Sequence, residues 1–138
     1  MARVLSIDYG KKRTGIAVTD ELQMIASGLT TVNTFELNGF IDRYLTQESV
    51  ETIVIGEPKK MDYTASELGD VISAFAKAIQ EKYPSINVEM VDERFTSKMA
   101  FQTMIDSGLK KKQRRNKALV DEIAATIILQ TYLDKKKF

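Results

Sequence analysis

The sequence predicts an α/β fold: a mixed five-stranded sheet flanked by helices on both faces, in the order β-β-β-α-β-α-β-α-α. Three observations carry that prediction. The opening third holds three runs of β-branched and apolar residues whose gaps are too short for crossovers and suit hairpins. A continuous apolar run, Thr52-Ile53-Val54-Ile55-Gly56, follows an amphipathic stretch, as in a strand buried on both faces and reached by a helical crossover. The remaining apolar residues recur at helical spacing. No repeat, low-complexity tract or Ser/Pro-rich linker interrupts residues 1–138, so the chain reads as one domain.

The first strands are predicted at Arg3–Asp8, Thr14–Thr19 and Met24–Val32. Asn33-Thr34-Phe35-Glu36 has the pattern of a capping box, an Asn N-cap with a glutamate three residues on. Leu37, Phe40, Ile41, Tyr44 and Leu45 then give the first helix its apolar stripe. Right-handed crossovers would set the fourth strand beside the first. A second helix presents Leu68, Val71, Ile72, Phe75, Ala76 and Ile79 and is stopped by Tyr83-Pro84; a short strand follows at Asn87–Val91. A third helix runs from Thr96 or Ser97 to Ser107, with Gly108 as its left-handed C-terminal residue. Asn116 opens the last helix, whose inner face is expected to hold Leu119, Val120, Ile123, Ala124, Ile127 and Ile128.

Composition excludes whole classes of chemistry. The 138 residues contain neither histidine nor cysteine, so there is no Ser-His-Asp triad, no imidazole proton shuttle and no conventional zinc site. Any metal must be a hard ion held by oxygen, which points toward phosphate chemistry. No 18-residue apolar stretch occurs, and the start Met-Ala-Arg-Val-Leu-Ser-Ile-Asp lacks a long apolar core. The expectation is a cytoplasmic protein without membrane association.

A net charge of +1 conceals a division along the chain. Residues 1–93 carry nine Lys/Arg against fifteen Asp/Glu, whereas residues 94–138 carry eleven against four. Lys110, Lys111, Lys112, Arg114, Arg115 and Lys117 are clustered, and Lys135–Lys137 lie near the end. Such runs are either solvated surface or a polyanion-binding face.

Two carboxylates stand out. Asp8 closes the apolar strand Leu5-Ser6-Ile7 and precedes Tyr9-Gly10-Lys11-Lys12-Arg13, so an acid at a strand end meets a glycine turn and three cations. That suits a metal held near phosphate oxygens, and equally a polar strand terminus before a turn. Asp121 is followed at helical spacing by Ala124, Ala125 and Ile128, which turns it toward the sheet, where an unpaired charge is costly. It needs a partner or a metal, unless it is an acid near a helix N-terminus favoured by the dipole. Asp92-Glu93-Arg94-Phe95-Thr96 follows the last strand, with one carboxylate able to face inward while Arg94 and Thr96 face phosphate, or with a surface ion pair and cap. Glu57, at the end of the fourth strand, is an additional candidate ligand. Acids converging from distant positions at one sheet edge would support two-metal hydrolysis without histidine.

Asp8-Tyr9-Gly10, Lys12-Arg13, Gly15, Ala17, the Gly56-x-Pro58 turn, Asp92-Glu93-Arg94 with Thr96, and Asp121 with Ala124-Ala125 together resemble the YqgF family, also called RuvX-like, over nearly the whole chain. Its members were described as Holliday-junction resolvases and are now regarded as pre-16S rRNA nucleases. The resemblance implies an RNase H-like fold, in agreement with the element order. It implies that Asp8, Glu93 and Asp121 are catalytic acids coordinating Mg²⁺ or Mn²⁺. Lys12, Arg13, Arg94 and Thr96 would lie near the nucleic-acid backbone, flanked by Lys111, Lys112, Arg114, Arg115 and Lys117.

The leading expectation is a hydrolase processing the 5′ end of pre-16S rRNA, as monomer or homodimer, with the small-subunit precursor as partner. A four-way DNA junction is the alternative substrate, because both substrates call for the same acids and a backbone-tracking basic surface. A non-catalytic RNA-binding assembly factor would explain the basic segment but not an inward Asp121. Sugar-kinase-like phosphotransferases share an Asp-x-Gly strand but place nucleotide between two such domains, for which this chain is too short.

Overall fold

β1 (Arg3–Asp8), β2 (Arg13–Thr19) and β3 (Ala26–Asn33) form an antiparallel meander in the computed structural model, which describes residues 2–57, 67–92 and 116–136. After a 3₁₀ turn at Thr34–Glu36, α1 (Leu37–Gln47) carries the chain across to β4 (Val50–Glu57), which pairs in parallel with β1. α2 (Glu67–Lys82) then leads to β5 (Asn87–Asp92), parallel to β4, and the last described helix is α3 (Lys117–Lys136). The sheet order is β3-β2-β1-β4-β5, so strand four lies beside strand one as the crossover rule requires.

Strand alternation divides the apolar residues between two cores. Leu5, Ile7, Ile16, Ile53 and Ile55 face α1 and α2, where they meet Leu37, Ile41, Ile72 and Ile79. Val4, Ala17, Val54 and Val91 face the opposite way, against Ala125, Ile128, Leu129, Tyr132 and Leu133 of α3. β1 and β4 supply both cores, which is why their sequences are apolar without alternation. Truncating a wholly buried residue such as Ile55 to Ala would cost about 2–5 kcal/mol through lost transfer energy and the cavity left behind.

Several local expectations are corrected. β3 begins at Ala26 rather than Met24. The Asp20 carboxylate accepts hydrogen bonds from the N–H groups of Leu22, Met24 and Ile25 at 3.3, 2.9 and 2.8 Å, and Gln23 takes a left-handed φ of 57°, so the turn extends through Ile25. The capping box does not form: Asn33 makes no side-chain cap. Thr34 is committed elsewhere, donating from Oγ1 to the Gly10 carbonyl at 2.6 Å, and a 3₁₀ turn intervenes before α1. Val71 is half exposed because, with Leu68, Tyr9 and Lys11, it lines an open cleft of about 360 Å³ instead of packing on the sheet.

Asn116 does cap α3, its Oδ1 accepting from the N–H groups of Ala118 and Leu119 at 3.1 and 3.3 Å. The buried stripe of α3 is Ala124, Ala125, Ile128, Leu129, Tyr132 and Leu133; Ile123 and Ile127 are only half-buried. The expected helix from Thr96 or Ser97 to Ser107, with Gly108, lies outside the described residues. Among the described residues, no helix is long and apolar enough to cross a membrane.

Candidate functional site

The alternation that points Leu5 and Ile7 toward α1 and α2 turns Val4, Ser6 and Asp8 toward α3. Asp8 therefore ends β1 on the α3 face. In the antiparallel register with β2 it lies opposite Gly15, which is buried. A methyl group built on Gly15 would coincide with the carbonyl of Asp121, and would stand 3.0 Å from the N–H nitrogen of Glu122. Glycine here is the condition for seating α3 on β2 next to Asp8.

Two hydroxyl groups fix that seating. Ser6 Oγ donates to the Ala125 carbonyl at 2.6 Å, and Thr31 Oγ1 donates to the Ala118 carbonyl at 2.6 Å. They bracket Asp121 along the helix. Asp121 heads the buried stripe, spaced from Ala124, Ala125 and Ile128 as a helix face requires, and its side chain remains 26% exposed. The inward reading of Asp121 is thus met, and its partner is Arg13: Nε donates to Oδ2 at 3.1 Å. Arg13, Gly15 and Ala17 share the α3 face of β2, so the strand delivers the cation two residues from the glycine that admits the helix.

The basic turn between β1 and β2 is tied down by Thr34. Its N–H donates to the Lys12 carbonyl at 3.0 Å, its hydroxyl to the Gly10 carbonyl, and it shares a 2.9 Å hydrogen bond with the buried Thr14 hydroxyl. Lys11 and Lys12 are exposed on this anchored turn. The sequence pattern ties Thr34 only to a helix start and points to no role for Ser6 or Thr31. Ser6 carried a signal, since a hydroxyl within Leu5-Ser6-Ile7 must be buried and must find an acceptor.

Glu57 belongs to the other side of the sheet. It continues the alternation of Ile53 and Ile55 toward α2, while Gly56 follows Val54 toward α3; Asp92, its partner in the β4–β5 register, likewise alternates away from Val91. Glu93, Arg94, Thr96, Lys111, Lys112, Arg114 and Arg115 lie outside the described residues, and Lys117 begins α3. Among the described residues, no group of three or more acids forms a metal site. Asp8 and Asp121 are hard oxygen donors on one face, and that donor set fits Mg²⁺ or Mn²⁺ rather than a soft ion.

A sheet of order β3-β2-β1-β4-β5, with an antiparallel meander first, parallel strands after it, and a terminal helix bringing a carboxylate over the end of β1, defines an RNase H-like α/β protein. The fold is shared with Thermus thermophilus RuvC. The structure "T. thermophilus RuvC in complex with Holliday junction substrate" has a TM-score of 0.57, 16% identity, and coverage of 99% of this chain and 96% of that one. "Thermus thermophilus RuvC structure" has a TM-score of 0.53 at 14% identity, covering 98% and 96%. The family model "RuvX: Holliday junction resolvase" matches residues 2–135. A Flavobacterium johnsoniae protein is 60% identical over 138 residues, with both chains wholly covered. A Christiangramia forsetii protein is 63% identical over 133 residues, covering 96% of this chain and 98% of that one. Both carry the name "Putative pre-16S rRNA nuclease". The chain belongs to the RuvX family.

Proposed function

We propose that this protein is a nuclease, a hydrolase acting on phosphodiester bonds in the 5′ extension of pre-16S rRNA, working as one cytoplasmic domain with Mg²⁺ or Mn²⁺. The observation that carries the reading is the packing of the Asp121 backbone of α3 on Gly15, the register partner of Asp8, beside an anchored, exposed basic turn. Family membership and the relatives' names point the chemistry toward ribosomal precursor RNA.

Asp8 and Asp121 would hold the ion, with Glu93, which directly follows the end of β5 in the chain, as the third acid implied by the motif. When bound, a hard divalent ion activates water and offsets the negative charge that develops on the phosphate. Lys11 and Lys12 would bind backbone phosphates on either side of the scissile bond, which supplies affinity without base selectivity. Ser6, Thr31 and Gly15 fix the distance between the acids, and Thr34 holds the turn that presents the lysines.

The test compares wild type with Asp8→Asn, in Mn²⁺ or Mg²⁺, on a 5′-extended 16S rRNA precursor and on a four-way DNA junction. RNA cutting that the variant loses supports the proposal. Cutting of the junction alone moves the activity to resolution, and RNA bound but left intact overturns the nuclease reading in favour of an assembly factor.

A further inference from the structure

The ion pair between Arg13 and Asp121 places a protein cation where the proposed function needs a divalent one. Arg13 Nε donates to Asp121 Oδ2 at 3.1 Å, and the Asp121 backbone packs on Gly15, the register partner of Asp8. The Asp121 carboxylate is partly buried, and without a cation the folded state would carry the cost of that charge. Arg13 relieves it while no ion is bound.

Three features make this cation exchangeable rather than a permanent brace. The Arg13 side chain is 36% exposed, so it reaches Asp121 from the rim and can withdraw to solvent without leaving a cavity. Its backbone is fixed independently, by the strand register with β3 and by the Thr14–Thr34 hydrogen bond next to it, so only the side chain has to move. Lys11 and Lys12 are exposed on the same turn, so a withdrawn guanidinium joins a surface that is already cationic and hydrated. Ion pairs with one partner open to solvent are weakened by screening, which suits an occupant that must leave.

We infer that Arg13 is an exchangeable counter-ion for Asp121: it neutralises that carboxylate in the metal-free protein and is displaced from it by the divalent ion, so that it sets the metal affinity of the site. This rests on the metal-dependent reading of the site given above. An alternative role is a fixed orienting hydrogen bond, which Arg13 would keep on Oδ2 with the ion bound. The two roles have opposite signs. Removing a competitor strengthens metal binding, whereas removing an orienting partner weakens it.

The experiment measures Mn²⁺ binding by calorimetry for wild type, Arg13→Gln, Arg13→Lys and Asp121→Asn, with a metal-free melt for each, and follows the Arg13 Nε–H resonance while wild type is titrated with Mg²⁺. Exchange predicts that Arg13→Gln binds Mn²⁺ roughly three- to tenfold more tightly than wild type, the scale of one partly exposed charged hydrogen bond and the repulsion it brings. Arg13→Lys, which keeps the charge, stays nearer wild type. The Nε–H signal moves to a solvent-exchanging position at the Mg²⁺ binding midpoint. Unchanged or weaker Mn²⁺ binding by Arg13→Gln, or an Nε–H that stays protected at saturation, overturns the inference while leaving the metal site standing. No Mn²⁺ binding by wild type, or full binding by Asp121→Asn, overturns the underlying reading and the inference with it.

Discussion

Gly15→Ala should damage stability and function together, because one added carbon strikes the helix that carries Asp121. The new Cβ would fall on the Asp121 carbonyl and stand 3.0 Å from the Glu122 nitrogen, and backbone atoms, unlike side chains, cannot rotate aside. Ordinary carbon contacts need about 3.5–4.0 Å, so α3 would have to lift by about 1 Å or more. The helix is held on both sides of that point, by Ser6 on Ala125 and Thr31 on Ala118. Lifting it would stretch two hydrogen bonds worth about 1 kcal/mol each and open the Ala17–Ala125 packing. We expect a loss of about 3 kcal/mol, the upper end for overpacking. At this chain length, that is a fall in melting temperature of roughly 9–15 °C. The site should suffer as well, since a displacement of about 1 Å in catalytic geometry can cost on the order of a hundredfold in rate. Thermal melts, Mn²⁺ calorimetry and the RNA cleavage assay check this together. The matched control is Gly28→Ala, whose obstacles are all side-chain atoms of Glu122, Oε1 at 2.5 Å and Cγ at 2.8 Å; it should cost less than Gly15→Ala, because a whole side chain can change rotamer where a backbone carbonyl cannot. If Gly15→Ala melts within about 2 °C of wild type and binds Mn²⁺ equally well, the close approach is not a constraint and the reasoning fails.

Asn116→Ala should lower stability by about 1 kcal/mol, read from urea midpoints, because it removes the acceptor for the N–H groups of Ala118 and Leu119; Asn116→Asp should retain it. Burial, together with the hydrogen bond to Glu89, pushes the Tyr132 hydroxyl up to about 12, from an ordinary value of 10.0. The stability this confers is complete below pH 10 and is lost as pH rises toward 12; Tyr132→Phe should flatten that part of the alkaline limb, leaving the share due to Tyr44, which burial also raises. Asp20 is held below its ordinary 3.8, chiefly by the hydrogen bond from the Ile25 N–H. Its contribution is present above that value and lost as pH falls through the lower folded-state value, so the gap between wild type and Asp20→Asn in melts at pH 6 should close in strong acid.

What could be read from sequence depended on whether a residue's neighbours carried the pattern. Asp121 was legible because Ala124, Ala125 and Ile128 mark its face of the helix, and Asp8 because it ends an apolar strand before a basic turn. Arg13 as the partner of Asp121 was not legible. The pairing spans 108 positions and depends on both the β1–β2 register and the approach at Gly15. The facing of Glu57 was not legible for a related reason: Thr52–Gly56 is buried on both faces, so its hydrophobicity does not alternate and does not tell which way the following carboxylate turns. The capping box failed because Asn33 is the last residue of β3, paired with Arg13, and Thr34, held by the Gly10 and Lys12 carbonyls, opens a 3₁₀ turn before α1.

β1 is the innermost strand of the sheet, and each of its residues is assigned to one core or the other by counting in twos. Deleting or inserting one residue before Asp8 would send the acid into the α1 and α2 layer and an isoleucine or tyrosine to its place, while exchanging Val4 and Ser6 with Leu5 and Ile7. Loss of the acid by slippage and collapse of both cores are therefore one event. The position of the carboxylate is proofread by the packing of the strand that bears it.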